Sequence, residues 1–207
     1  MLGKSIWSIF NSIKHNPHMI YHITGNKHKA ESANKRLKPF NIQLKQKTLH
    51  LIEPQEEDIT TVAESKAQQA NRQIKRPVLV SDSGISIPAL NGFPGPFMHY
   101  ITKWLTASDL LNLMQNKTDR TIYFQNVAVY QDSQQQRAFK SERKGLILSK
   151  AEGKGIPLDQ IVTFRKDYKT IAECENFGLS RFDSELKDSI WFQFGEWYNK
   201  FNKLIKN

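Results

Sequence analysis

The residues of this chain best suited to chemistry gather around one acid. A Val-rich run, Val78-Leu79-Val80, leads into Ser81-Asp82-Ser83-Gly84-Ile85. A Gly and Pro-rich loop, Pro88-Ala89-Leu90-Asn91-Gly92-Phe93-Pro94-Gly95, follows closely. A short apolar run ending on a carboxylate predicts a buried strand presenting an acid at the rim of a sheet, where open α/β folds hold their ligands. Upstream, Thr24-Gly25-Asn26 precedes Lys29 and a helical Lys/Ala/Glu stretch. Strand, glycine turn and helix together offer backbone N–H groups to an anion. Lys66 stands between these segments, on the apolar side of a helical pattern, so it must extend out to water or meet an anion. Two lysines, a glycine turn and one acid outline a phosphate-and-magnesium site, because Mg²⁺ takes few carboxylates and completes its shell with phosphate oxygens. Such a metal polarises a phosphoryl group and acidifies bound water, while lysines neutralise charge in the transition state. Taken alone, Asp82 could equally cap its own loop.

Positioning these side chains requires an alternation of strands and helices. Residues 20–23 read as a first strand; short strands are expected near 42–44 and 48–52. Residues 59–75 carry Ile59, Val62, Ala63, Ala67, Ala70 and Ile74 on one helical face, with Thr61 and Glu64 spaced as a capping box. The spacing predicts a strand over 78–80, a helix over 106–115, and a hairpin of strands 121–130 and 137–148. Gly153, Gly155 and Pro157 then break the chain, and helical spacing returns over 182–204. The aromatics Trp191, Phe192, Phe194, Trp197 and Tyr198 are expected in core or dimer packing rather than as a ligand platform.

Composition narrows the class. A chain of 207 residues can bury a substantial core. Residues 1–18 read as an amphipathic helical extension, with a membrane-surface or partner anchor as the alternative, and residues 19–207 as a single domain. No membrane-spanning run is present in the sequence. The single cysteine, Cys174, rules out a disulfide framework within the chain and fits a reducing, cytoplasmic setting. His18 and His22 have the spacing of a helical metal pair, but the surrounding strand pattern makes them non-metal residues. The net charge of +10 suits a polyanionic partner without naming one.

With these residues in place, the chain resembles the inosine triphosphate pyrophosphatase family. Thr24-Gly25-Asn26-Lys27-His28-Lys29 is similar to its TGNxxK signature, Asp82-Ser83-Gly84-Ile85 to its DSGL motif, and Ala89-Leu90-Asn91-Gly92-Phe93-Pro94-Gly95 to its ALxGxPG loop. Lys66 precedes Asp82 by the family's interval. The resemblance implies that Thr24, Asn26, Lys29, Lys66, Ser83 and Arg181 bind substrate phosphates. It implies that Asp82, with Lys66, is catalytic, and that Asp82 and Glu53 hold Mg²⁺, with Glu56 and Glu57 as rivals to Glu53. Ile156, Leu158 and Asp159 fall where the family reads the base. The implied reaction splits a nucleoside triphosphate, typically one with a deaminated purine, into monophosphate and pyrophosphate. The implied fold is α/β, a mixed twisted sheet flanked by helices with a cleft between two lobes, in a homodimer.

The departures from the family pattern are specific. Ser81 stands where the family carries a second acid. Ile156 and Leu158 replace two aromatics of the base pocket, and stacking on an aromatic is worth about 1–3 kcal/mol per base. The family's lysine and SHR segment shrinks to Ser180-Arg181. These changes keep a second reading open, a catalytically weak nucleotide-binding protein of the same fold. A third is a basic RNA-binding module, but the chain carries no RNA-recognition motif and nucleic acid is not the expected partner.

Overall fold

The computed structural model describes residues 19–183 and 189–205, with side chains to 201. The expected helix over 1–18 lies outside the described residues. The architecture is mixed α/β. Strand β1 is Ile20–Ile23, helix α1 Lys27–Leu37, β2 Leu44–Lys47, α2 Ile59–Ile74 and β3 Val78–Ser86. There follow β4 Pro94–Gly95, α3 Met98–Trp104, α4 Ala107–Leu113, β5 Thr121–Gln131, β6 Gln136–Ile147, β7 Val162–Thr163, α5 Ile171–Asn176 and α6 Ile190–Ile205. The seven strands form one sheet in the order β2-β1-β3-β5-β6-β7, with β4 against β3. β1 is parallel to β2 and β3; β5, β6 and β7 run antiparallel.

Period-2 alternation sorts the first half of the sheet into two faces. Ile20, Leu79, Ala128 and Tyr130 pack with Leu37 of α1 and with Ile190, Phe194 and Tyr198 of α6. Ile23, Val78, Val80, Val127 and Val129 pack beneath α2. There Ala63, Ala67 and Ala70 are fully buried, their small side chains allowing the helix to approach the sheet closely. At the far ends of β3, β5 and β6 a separate apolar cluster, including Ile85, Ile122, Ile147 and Leu158, builds the second lobe.

Several expected elements shift. β3 does not stop at residue 80. Its parallel pairing with β1 ends at Val80, but its antiparallel ladder with β5 continues to Ser86, so Asp82 sits mid-strand opposite Val127. The acid is therefore at the rim of the parallel half of the sheet but within the antiparallel half. Gly84 makes that continuation possible, since a Cβ there would lie 2.9 Å from the Gly95 carbonyl oxygen. The strand expected near 42–44 forms at Leu44–Lys47, and residues 48–52 form no strand. The Gln69 side chain takes the place of a neighbouring strand, accepting from the Ile52 N–H at 2.9 Å and donating to its carbonyl at 2.7 Å. Helix α2 is capped by Asp58, whose carboxylate accepts from Thr60 N at 2.9 Å, rather than by the Thr61/Glu64 box. The hairpin and the helix at 107–113 form where expected, the latter closed by a Thr106/Asp109 capping box. α6 begins at Ile190, later than the expected 182; residues 184–188 lie outside the described residues.

Candidate functional site

A cavity of about 730 Å³ opens on the α1/α6 side of the sheet, past the end of β1. The cap and length of α1 contribute Asn26, Lys29 and, from its last turn, Arg36 to the wall. The turn before α1 is held locally: Thr24 Oγ1 accepts from Asn26 N at 3.1 Å, and Asn26 Oδ1 accepts from Lys29 N at 3.1 Å, capping the helix. No acid occupies the first turn, so the partial positive charge of the helix start is left for an anion. β3 adds Ser81, Asp82 and Ser83, and β6 adds Arg143. Arg181 closes the far side and ion-pairs with Glu175. Lys29, Arg36, Arg143 and Arg181 make the cavity strongly cationic.

Lys66 meets an anion rather than water. Its ammonium donates to Asp82 Oδ2 at 2.9 Å and to Glu53 Oε1 at 2.8 Å. The Lys66 and Asp82 side chains are each 22% exposed, whereas Glu53 is 61% exposed. Burial works against the Lys66 charge, but Asp82 and then Glu53 outweigh it, holding the ammonium above its ordinary pKa. The second oxygen of Asp82 accepts from Ser83 N at 2.9 Å, so both carboxylate oxygens are fixed. Glu56 and Glu57 are exposed, and of the three acids in that loop Glu53 is the one on Lys66. Thr24, Lys66 and Glu53 do not line the cavity; Lys66 reaches Asp82 from beneath α2.

The expected base-reading residues are not brought to the cavity. Leu158 is 1% exposed and belongs to the second-lobe core, because its apolar side chain packs with Ile161 and Ile171. Ile156 is exposed on the turn before it. Asp159 is half-buried, and burial pushes its carboxyl up to about 6; Arg181 opposes that shift and Glu175 adds to it. Aromatic surface reaches the cavity from elsewhere, through Phe124, Phe182 and Trp191. The Arg143 guanidinium stands 4.0 Å over the Phe182 ring. Trp191 packs against the core, as expected, and also faces the cavity, while Phe194 and Tyr198 are buried in the core.

Asn126, unforeseen from sequence, adds to the wall beside Ser83, and His22 stands behind Ser81. Ser83 Oγ donates to Asn126 Oδ1 at 3.0 Å across the β3–β5 ladder. His22, fully buried on β1, lies with its Nε2 3.0 Å from Ser81 Oγ. The only advance signal for His22 was a polar residue inside an apolar strand; its partner depended on the register of β1 with β3.

The donor set suits a hard divalent cation. Two carboxylates, Asp82 and Glu53, both lie against the Lys66 ammonium, and one or two carboxylates with phosphate oxygens and waters are enough for Mg²⁺. Among the described residues there is no cluster of three or more His, Cys, Asp or Glu to form a self-sufficient cage. A protein site of this kind would be completed by its substrate.

The Ham1 family profile matches residues 20–178. The chain is 36% identical over 139 residues to the dITP/XTP pyrophosphatase of Methanosarcina mazei, spanning 67% of this chain and 76% of that one. It is 32% identical over 160 residues to the dITP/XTP pyrophosphatase of Hyperthermus butylicus, spanning 77% and 84%. A HAM1 protein from Coxiella burnetii superposes with a TM-score of 0.68 at 20% identity, covering 89% of this chain and 98% of that one, which bears on the fold alone. From the profile match, and from motifs that stand in order from Thr24 to Gly95, the chain belongs to the Ham1, or inosine triphosphate pyrophosphatase-like, family.

Proposed function

We propose that this protein is a nucleoside triphosphate pyrophosphatase that acts on non-canonical purine nucleotides of the ITP and XTP kind. The observation that carries this reading is Asp82, a wall residue of an arginine-rich cavity whose carboxylate is fixed at both oxygens. The names of the relatives favour the same substrate class.

In this reading the start of α1, with Lys29, holds the phosphates and Arg181 neutralises their far end. Water attacks the α-phosphorus, the bond from that phosphorus to the bridging oxygen breaks, and monophosphate and pyrophosphate leave. Asp82 orients the water and accepts its proton, which is general-base work worth about 10²–10⁴-fold. Lys66 holds Asp82 in place through its hydrogen bond to Oδ2. Asp82 and Glu53 are the residues that would hold Mg²⁺, which supplies charge neutralisation at the phosphates and a more acidic water when bound. The base would lie towards Phe124, Phe182 and Trp191.

Incubation with a panel of nucleoside triphosphates and Mg²⁺, with product identification, tests the reading. Monophosphate and pyrophosphate from ITP and XTP, faster than from ATP and GTP, are expected. Diphosphate with inorganic phosphate, or no turnover of any triphosphate, contradicts it. A second reading, a catalytically weak nucleotide-binding protein, is favoured by one feature: position 81 is a neutral serine tied to a histidine. It predicts nucleotide binding without turnover. The homodimer implied by the resemblance and the cytoplasmic setting that the single cysteine fits belong to the same proposal; sedimentation tests the former. No helix among the described residues is long and apolar enough to cross a membrane.

A further inference from the structure

His22 has no part in the reading above, yet it stands directly behind Ser81 of the cavity wall. The ring is completely buried, with Trp191 packed edge-on at 5.6 Å between centroids. Its Nε2 lies 3.0 Å from Ser81 Oγ, while its Nδ1 is buried without a hydrogen-bond partner among the described residues. Burial, with Lys29 nearby, keeps the ring neutral at neutral pH.

A neutral imidazole carries one N–H and one bare nitrogen. If the proton sat on Nδ1, a donor would be orphaned inside the protein. If it sits on Nε2, the orphan is only a lone pair. Orphaned buried N–H groups are rarer than under-satisfied acceptors. The proton therefore belongs on Nε2, and the ring donates to Ser81 Oγ. Ser81 then turns its own hydrogen away from His22. No other hydrogen bond of its hydroxyl is present among the described residues, and Ser81 lines the cavity beside Asp82.

We propose that the His22–Ser81 pair is a fixed hydrogen-bond donor to a phosphate oxygen of the bound nucleotide, with Ser81 touching the ligand and His22 as the positioning residue. The proposal rests on the triphosphate reading above. It gives Ser81 a role different from that of an acid. A carboxylate at this position needs a cation between itself and a phosphate, whereas a hydroxyl with its proton free binds the phosphate directly.

Two measurements on the full chain test it. In ¹⁵N-histidine-labelled protein at neutral pH, with the resonance assigned by its loss in H22Q, His22 is expected to show a protonated Nε2 and a bare Nδ1. The opposite tautomer, or an imidazolium, overturns the proposal. In calorimetric titration with inorganic tripolyphosphate, S81A is expected to bind roughly 10-fold or more weakly, the worth of a hydrogen bond to a charged group. H22L should weaken binding by about 3-fold or more, and H22Q, whose amide N–H can stand where Nε2–H stood, should recover part of that loss. Tripolyphosphate binding by S81A within about 2-fold of wild type overturns the Ser81 assignment while leaving the pyrophosphatase reading intact. Wild-type protein that binds neither tripolyphosphate nor any nucleotide overturns that reading, and the proposal with it.

Discussion

Lys66 Nζ and Asp82 Oδ2 stand 2.9 Å apart, bringing together a helix and the strand that follows it. The contact resolves an apparent conflict on α2, where a lysine falls among Val62, Ala63, Ala67 and Ala70 on the face turned to the sheet. The helix carries its charge inward because a carboxylate waits there. A half-buried pair of this kind is weak support for stability but strong support for fixed geometry.

Replacing Lys66 with Met is expected to separate those two contributions. Asp82 keeps the Ser83 N–H but loses the ammonium that orients its other oxygen. Stability should fall by roughly 1–2 kcal/mol, between the values for exposed and buried pairs. Turnover should fall far more, by about 10²-fold, as for loss of one fixed electrostatic partner. Chemical denaturation beside steady-state kinetics checks this; kcat within twofold of wild type would make Lys66 purely structural. Because the folded pKa of Lys66 is raised, the contribution from its own titration is complete below the unfolded value of 10.5 and fades above it. Neutral pH therefore leaves it unchanged.

Two other groups impose opposite acid dependences. His22 is lowered from 6.5 to about 4 by burial and then by Lys29, so its contribution to stability is present above 6.5 and lost as pH falls through about 4. Asp159 is raised from 3.8 to about 6 by burial, so its contribution is present below 3.8 and lost as pH rises through about 6. D159N should therefore stabilise the protein at pH 7 by up to about 3 kcal/mol and make no difference near pH 3. H22L should flatten the fall in stability between pH 6.5 and 4. Urea denaturation across this range checks both; identical pH profiles for the two variants and wild type would contradict them.

Gly84 tests whether the extension of β3 through Asp82 is required. A methyl group there would meet Gly95 O at 2.9 Å and Ile59 Cγ2 at 3.1 Å. The backbone contact cannot be relieved by a rotamer change. G84A is expected to cost about 1–3 kcal/mol, the usual scale of overpacking, and to lower turnover by shifting Asp82. A melting temperature equal to wild type would show that β4 can move aside freely.

What sequence could show here followed from local pattern. The strand–turn–helix at Thr24-Gly25-Asn26 and the helical face bearing Lys66 are both local, and both were legible. The Asp82 strand was legible in place but not in length, because its continuation depends on β5, which lies far along the chain. Residues 48–52 have strand-like character, yet Gln69 of α2 meets their backbone instead, a contact no local pattern reveals. The aromatic lining of the cavity was the least legible. Ile156-Pro157-Leu158-Asp159 occupies the expected place in the chain, but Leu158 is drawn into the second-lobe core. The cavity takes its aromatics from β5, from Phe182 and from the start of α6. His22 and Ser81 are distant in sequence and meet only because β1 pairs with β3.

The most direct test of the account is pyrophosphate release from ITP and XTP with Mg²⁺, measured for wild type and for D82N at matched folded concentration. D82N keeps the shape of the side chain and removes the charge that holds Lys66 and accepts the proton of water. The account predicts pyrophosphate from wild type and a rate lower by about 10²-fold or more in D82N, the least that loss of a general base costs. Equal rates from the two proteins would contradict it.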